Sequence, residues 1–367
     1  MSIINKAAAI GGGVIGAGWV ARLLLNGIDV SIFDPDPEAS RKVSEVMKGA
    51  RRAYRQMVPG GLPKEGKLTF AKTIAEAVAD ADFIQESVPE RLDLKHKVLA
   101  EIDAHAPANA IVGSSTSGIK PTDMQVAMKK HPERLVVGHP FNPVYLLPLV
   151  EIVAGDQTFP EAVEVAREIY ASIGMKPVAI RKEIEAFVGD RLLEAAWREA
   201  LWLIKDGICT VEELDDIMRY GFGLRWAQMG MFQVYRVAGG EAGMRHFMAQ
   251  FGPCLKWPWT KLMDVPEFND ELVDLIATQS DDQAHGLSIR ELEKIRDDNL
   301  VAIMDALSKQ NKGKGWGAGA LHKDYTKQLA KLAAKKPAAS KAAEKAKASK
   351  PVKKADKPKK KTTKKKG

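Results

Sequence analysis

Apolar and polar positions change rhythm twice along the chain. Residues 7–10, Ala-Ala-Ala-Ile, form a short apolar run that ends in glycines. Apolar positions then recur at helical spacing through Val20 and Leu24, and Val-Ser-Ile-Phe-Asp follows as a second run. That order predicts a βαβ unit. Short runs at 83–86, 110–114 and 135–138, with helical patterns between the first two, extend it into a parallel, doubly wound sheet. Two more strands are expected at 149–153 and 178–180, with a helix near 161–172 between them. Past about residue 183 the strand signal stops, and everything to residue 310 reads as helices. The expected fold class is therefore α/β: a Rossmann-type sheet over 1–184, an all-helical domain over 185–325 and a tail over 326–367.

Composition changes this picture at the tail. With 367 residues and 45% hydrophobic content, the chain is long enough for two cores. The net charge of +8 is unevenly divided. Residues 331–367 hold 16 lysines against Glu344 and Asp356, leaving 39 basic and 45 acidic residues before them, a mildly acidic body of about −6. After Leu332 the tail has almost no large apolar side chain, so it cannot offset the entropy of ordering and is expected to be disordered. Its lysines could attach to nucleic acid by neutralising phosphates, but it lacks the aromatic residues of a base-stacking platform; a solvated appendage is the competing reading. Cys209 and Cys254 match no metal or redox spacing, and no apolar run is long enough to cross a bilayer. A cytoplasmic protein without a metal site is expected.

Gly11-Gly12-Gly13-Val14-Ile15-Gly16 matches G-x-G-x-x-G between the first strand and a helix. The first glycine permits a tight turn, the second lets backbone approach a pyrophosphate, and the third lets helix and strand pack closely. Asp34, at the end of the second strand, can accept hydrogen bonds from ribose hydroxyls and would repel a 2′-phosphate, so NAD is favoured over NADP. The expected cofactor contacts are Gly11, Gly13, Val14, Ile15, Gly16 and Asp34. A glycine cluster can also serve a turn alone, and Asp34 could instead start the turn Asp-Pro-Asp-Pro; the two roles of Asp34 are compatible.

Candidate chemistry lies at the ends of later strands. Ser114-Ser115-Thr116-Ser117-Gly118 follows one strand, His139-Pro140-Phe141-Asn142-Pro143 another, and Glu151 sits in the apolar run Leu149-Val150-Glu151-Ile152-Val153. Hydride transfer from an alcohol needs a base for the hydroxyl proton, and a histidine titrates near neutrality. A carboxylate in an apolar strand is costly without a partner, which favours a His139–Glu151 pair. On residue types alone, a single histidine after a strand is also commonly structural.

Taken together these motifs resemble the 3-hydroxyacyl-CoA dehydrogenase superfamily, over residues 5 to about 300. The resemblance implies that Ser117 hydrogen-bonds the substrate oxygen, His139 is the general base, Glu151 orients it, and Asn142 stands beside it. It also implies a homodimer through the helical domain. Acyl-CoA members carry Pro-Gly-Phe and then an Asn-Arg pair on the first long helix; here the segment runs Glu185-Ala186-Phe187-Val188-Gly189-Asp190-Arg191, with Asp190 in place of the asparagine. The stretch between Arg41 and Lys67 is also shorter than the helical hairpin that helps hold coenzyme A in those enzymes.

The second half, in Gly223-Leu224-Arg225-Trp226-Ala227, Gly243-Met244-Arg245-His246-Phe247 and Lys256-Trp257-Pro258-Trp259-Thr260-Lys261-Leu262, resembles the carnitine-oxidising branch of that superfamily. That branch implies oxidation of the 3-hydroxyl of L-carnitine to 3-dehydrocarnitine. A quaternary ammonium cannot hydrogen-bond, so its pocket should offer aromatic faces and a negative charge. On a helix Asp190, Glu194 and Trp197 share one face, and Arg191 or Arg225 could meet the substrate carboxylate. Six of the seven tryptophans fall in the helical part, Trp197, Trp202, Trp226, Trp257, Trp259 and Trp316; for most of them, core or subunit contact is the simpler reading. The same motifs also resemble L-gulonate 3-dehydrogenase and shorter-chain 3-hydroxyacyl-CoA dehydrogenases, and a lens crystallin of this superfamily keeps a structural role open.

Overall fold

The computed structural model describes residues 3–239, 241, 243–261, 269–283, 285–313 and 317–334. Leu262, Trp316 and the lysine-rich segment from 335 onward lie outside the described residues.

The first half alternates β1 (Lys6–Ile10), α1 (Val14–Leu25), β2 (Asp29–Phe33), α2 (Ala39–Met57), β3 (Leu68–Phe70), α3 (Ile74–Val78), β4 (Phe83–Glu86), α4 (Leu92–His105), β5 (Ile111–Ser114), α5 (Pro121–Gln125) and β6 (Leu135–Pro140). Then follow β7 (Leu149–Ala154), α6 (Pro160–Ser172) and β8 (Lys176–Ile180). The eight strands form one sheet in the order β3-β2-β1-β4-β5-β6-β7-β8. Every neighbouring pair is parallel except β6 with β7. The exception has a local cause: only the residues between Pro140 and Leu149 join the two strands, too few for the crossover that a parallel pair needs. β3 has no counterpart among the sequence-predicted strands; at three half-exposed residues it is too short to show an apolar period.

Both faces of the sheet are covered. One core packs α1, α2 and α6 around Trp19, Tyr54 and Tyr170; the other packs α3, α4 and α5 around Ile84, Leu99 and Val137. A strand buried on both faces reads as an unbroken apolar run, as Ala7–Ile10 does.

Beyond the sheet come α7 (Gly189–Lys205), α8 (Val211–Ile217), α9 (Gly223–Ala238), α10 (Gly243–Phe251), α11 (Asp270–Gln283), α12 (Ile289–Lys309) and α13 (Gly319–Ala334). The first five bury few side chains, whereas α12 and α13 return to the sheet domain. Arg52 of α2 pairs with Asp298 of α12, and Tyr325 of α13 is buried with its hydroxyl 2.8 Å from that of Tyr54 and accepting a 2.7 Å bond from Asn26.

This corrects the expected start of the tail. Residues 326–334 continue α13, and Leu329 is fully buried against the sheet domain's core. The sequence signal misled because lysines on the outer face of α13 blend into the lysine run that follows it. Among the described residues no helix is long and apolar enough to cross a membrane.

Candidate active site

The sheet order reverses between β1 and β4, and the crevice outside the strand ends there is where α/β sheets bind ligands. The glycine loop lies in it. Gly11 has φ +101°, and a side chain there would press on the Ser87 carbonyl. A Cβ on Gly16 would collide with the Gly11 carbonyl oxygen, so the third glycine is what lets α1 start so close to β1. Gly13 differs, because a Cβ there would meet nothing within 4 Å. Open space therefore lies beside the first turn of α1. Gly13 caps α1 without a side-chain bond, and Val14 is 65% exposed, so the first amides of the helix point outward with its positive dipole end.

Asp34 completes the crevice. Its Oδ2 accepts from the Gly12 amide at 2.5 Å and its Oδ1 from the Asp36 amide at 2.7 Å. It therefore does start the turn, and each oxygen keeps a lone pair for a ribose hydroxyl. An open backbone cradle at a helix N-terminus with a fixed carboxylate beyond it fits a dinucleotide. Gly11, Gly13, Val14, Ile15, Gly16 and Asp34 would hold it, and NAD bound there supplies a hydride acceptor.

The antiparallel turn of β7 sets His139 of β6 directly opposite Glu151. His139 Nδ1 lies 2.9 Å from Glu151 Oε2, and the two residues are 4% and 3% exposed. The other carboxylate oxygen, Oε1, accepts from the amides of Val188 at 3.2 Å and Gly189 at 3.0 Å, at the start of α7. With Glu151 as a carboxylate whose Oε1 takes the two amides, the Nδ1–H tautomer donates to Oε2 and Nε2 is the accepting nitrogen. Ala186 and Phe187 reach this position with φ of +58° and +48°, an uncommon conformation for residues with a side chain. Phe187 is fully buried with its ring 5.7 Å from that of His139, which holds the turn in place; Phe141 lies at 5.0 Å. A Cβ on Gly189 would press on the Phe141 ring and crowd Glu151, so a larger residue there would have to displace Phe141.

Asp190, the next residue, brings Oδ2 to 3.7 Å from His139 Nε2, with its side chain 25% exposed. Burial pushes its carboxyl above the usual carboxylate range; the charge of His139 opposes this, while Glu151, Glu194 and Glu90 reinforce it. Asp190 thus stands against the histidine. Trp197 is two turns, about 10 Å, further along α7. It lines an apolar groove of about 420 Å³ with Leu193, Ala200, Leu214 and Met218.

Ser117 is exposed on the loop after β5. That loop is pinned from three sides. Trp19 of α1 donates to Ser115 Oγ at 3.0 Å and Gln85 donates to it at 2.7 Å. Glu90 takes the Thr116 hydroxyl and, at 3.1 Å each, the amides of Ser117 and Gly118. Beneath the loop, buried Lys95 joins Glu86 at 2.9 Å and approaches Glu90 at 3.6 Å. Asn142 is exposed and faces a cavity of about 390 Å³ that it shares with Val14, Gly49 and Tyr145. Arg191 donates to the Glu185 carbonyl at 3.2 Å beside Asp190, whereas Arg225 is exposed on α9, which packs on α10.

Sequence reasoning missed Glu90, Phe187 and the Val188–Gly189 amides. A second acid four residues after strand-end Glu86 was the available signal for Glu90; nothing local signals a backbone amide.

The sequence profile of the 3-hydroxyacyl-CoA dehydrogenase NAD binding domain matches residues 6–184, and that of the 3-hydroxyacyl-CoA dehydrogenase C-terminal domain matches 187–266. The chain is 98% identical over 340 residues to an L-carnitine dehydrogenase of Mesorhizobium japonicum, covering 93% of each. It is 64% identical to an L-carnitine dehydrogenase/betainyl-CoA thioesterase of Rhizobium meliloti, over 90% of this chain and 66% of that one. Among solved structures, an NAD-dependent dismutase, 5-formyl-3-hydroxy-2-methylpyridine 4-carboxylic acid 5-dehydrogenase, superposes with a TM-score of 0.70 at 28% identity, over 84% of this chain and all of that one.

Proposed function

Because this chain belongs to the 3-hydroxyacyl-CoA dehydrogenase family and carries its NAD-binding domain, we propose that it oxidises the 3-hydroxyl of L-carnitine to 3-dehydrocarnitine. It is an NAD-dependent dehydrogenase. The observation that carries the substrate is the carboxylate set around His139 Nε2: Asp190 at 3.7 Å, with Glu90 and Glu194 close enough to act on its charge. A quaternary ammonium is drawn to such a field and needs no hydrogen bond from it. Identity with an L-carnitine dehydrogenase supports the same reading.

In this mechanism Ser117 donates to the substrate oxygen while Nε2 of His139 removes the hydroxyl proton. Glu151, held by the Val188 and Gly189 amides, keeps the imidazole in the accepting tautomer and stabilises the imidazolium that forms. NAD, held against the glycine loop and Asp34, would supply the hydride acceptor. Asn142 borders the substrate space, and Arg191, on the same turn as Asp190, meets the substrate carboxylate in preference to Arg225.

The protein acts as a homodimer in the cytoplasm, with the helical domain as the contact. Leu193, Trp197, Ile217, Tyr220, Leu224 and Phe232 are each more than half exposed in the single chain, an apolar extent that soluble monomers rarely leave open.

The test is NADH formation with L-carnitine, D-carnitine, L-gulonate and 3-hydroxybutyryl-CoA offered in parallel. Turnover of L-carnitine alone is expected. Turnover of only the sugar acid or the thioester keeps the dehydrogenase and overturns the substrate.

A further inference from the structure

His139 is a base with no evident outlet. Its ring is buried between Phe141 and Phe187. Glu151 cannot take a proton onward, since one of its oxygens holds Nδ1 and the other two amides, all within the interior. Among the described residues one other carboxylate lies within 4 Å of a ring nitrogen, Asp190 at Nε2. Asp190 is also the member of the group that touches solvent, with a quarter of its side chain exposed against 5% for His139 and 4% for Glu151.

We propose that Asp190 is the proton outlet of the reaction: its Oδ2 receives the proton from His139 Nε2 and releases it to water at its exposed edge. This rests on the dehydrogenase reading of the site. The balance is complete. The alcohol gives a hydride to NAD and its hydroxyl proton to Nε2; the N–H bond of the imidazolium then breaks as an O–H bond forms on Asp190, and that proton leaves to solvent. His139 ends neutral and Asp190 ionised, ready for another cycle. At 3.7 Å the transfer needs either a small side-chain rotation or one bridging water, and it follows departure of the ketone from Nε2.

The electrostatics suit a relay. Burial raises the Asp190 carboxyl above its ordinary range; His139 acts to lower it, and Glu151, Glu194 and Glu90 add to the rise, so the carboxylate is a better proton acceptor than an exposed aspartate. An asparagine at this position could orient a substrate but could not accept the proton.

Asp190→Asn and Asp190→Glu, each compared with the wild-type holoenzyme, test this. With any alcohol that the wild type oxidises, Asp190→Asn is expected to lose about 100-fold in kcat, the low end for a positioned proton-transfer group. KM should rise as well, since Asp190 belongs to the field that draws the substrate cation, so the relay is read from kcat at saturation: its loss should be reversed in proportion to added formate or imidazole buffer, and Asp190→Glu should recover most of the rate. A second arm needs no turnover: in protein labelled with nitrogen-15 at histidine and studied in its imidazolium form, water exchange of the His139 Nε2 proton should slow about tenfold in Asp190→Asn. An unchanged kcat overturns the relay, and so does a raised KM at full kcat, which would leave Asp190 as a counter-ion to the substrate cation. A loss insensitive to buffer with unchanged proton exchange overturns it as well. If L-carnitine is not a substrate, the exchange arm still decides for or against the relay.

Discussion

His139 and Glu151 face each other across the one antiparallel ladder of the sheet, with Nδ1 2.9 Å from Oε2. Neither residue alone would be stable where it is: a carboxylate 3% exposed needs donors, and this one has three, the imidazole and the amides of Val188 and Gly189. The pair is therefore a structural unit as well as a chemical one.

Glu151→Gln should lower kcat/KM by about 100-fold, or about 2.7 kcal/mol of transition-state stabilisation, because an amide cannot balance the imidazolium. His139→Gln should cost more. Both are read from initial rates of NADH formation; normal turnover by His139→Gln would remove the histidine from the mechanism.

The glycines separate by what surrounds them. Gly13→Ala meets open space, so the melting temperature should hold while the Kd for NAD rises about tenfold, since the added methyl occupies the approach of the pyrophosphate. Gly16→Ala meets the Gly11 carbonyl and should lower the melting temperature by several degrees, as an overpacked contact of about 1–3 kcal/mol does. Calorimetry with and without NAD distinguishes them.

Asp190 makes stability depend on pH. Its carboxyl is raised by burial in the folded chain, so the folded state holds that proton more tightly than the unfolded one. The associated stability is complete below the unfolded value of about 3.9 and is lost as pH rises through the higher folded value. Asp190→Asn should therefore melt above the wild type at neutral pH, with the difference fading on acidification toward pH 4. Scanning fluorimetry across that range checks it; a variant that melts lower at pH 7 would mean that Asp190 is held by attraction, not strained by burial.

Tyr325→Phe should destabilise by about 1–3 kcal/mol, since it strands the Tyr54 hydroxyl and removes an acceptor from Asn26, both buried. The urea midpoint reports the loss, and kcat should stay unchanged because none of these atoms belongs to the His139 site.

Trp197→Ala should leave KM for L-carnitine within about twofold and weaken self-association, because Trp197 lines the α7–α8 groove two turns away from Asp190. Sedimentation and kinetics on one sample decide it; a large rise in KM with an intact dimer would restore the tryptophan to the substrate pocket.

Local chemistry was legible in the sequence wherever a residue acts through its own neighbours. The glycine loop, Asp34 at a strand end and the alternation of strand and helix follow from backbone sterics and apolar period, which act over a few residues. Glu151 announced itself as an acid in an apolar strand, and so did its need for a partner. His139 was the partner the sequence favoured; the tertiary structure supplied the contact, because the register of β6 on β7 is fixed by a turn and by the packing of both faces. It also set the Val188–Gly189 amides on Glu151, carried Asp190 to Nε2, and returned α13 to the sheet through Tyr325. These are long-range juxtapositions. Helical spacing says which residues share a face, but only the direction in which α7 leaves its strained turn at Ala186 and Phe187 says what that face meets.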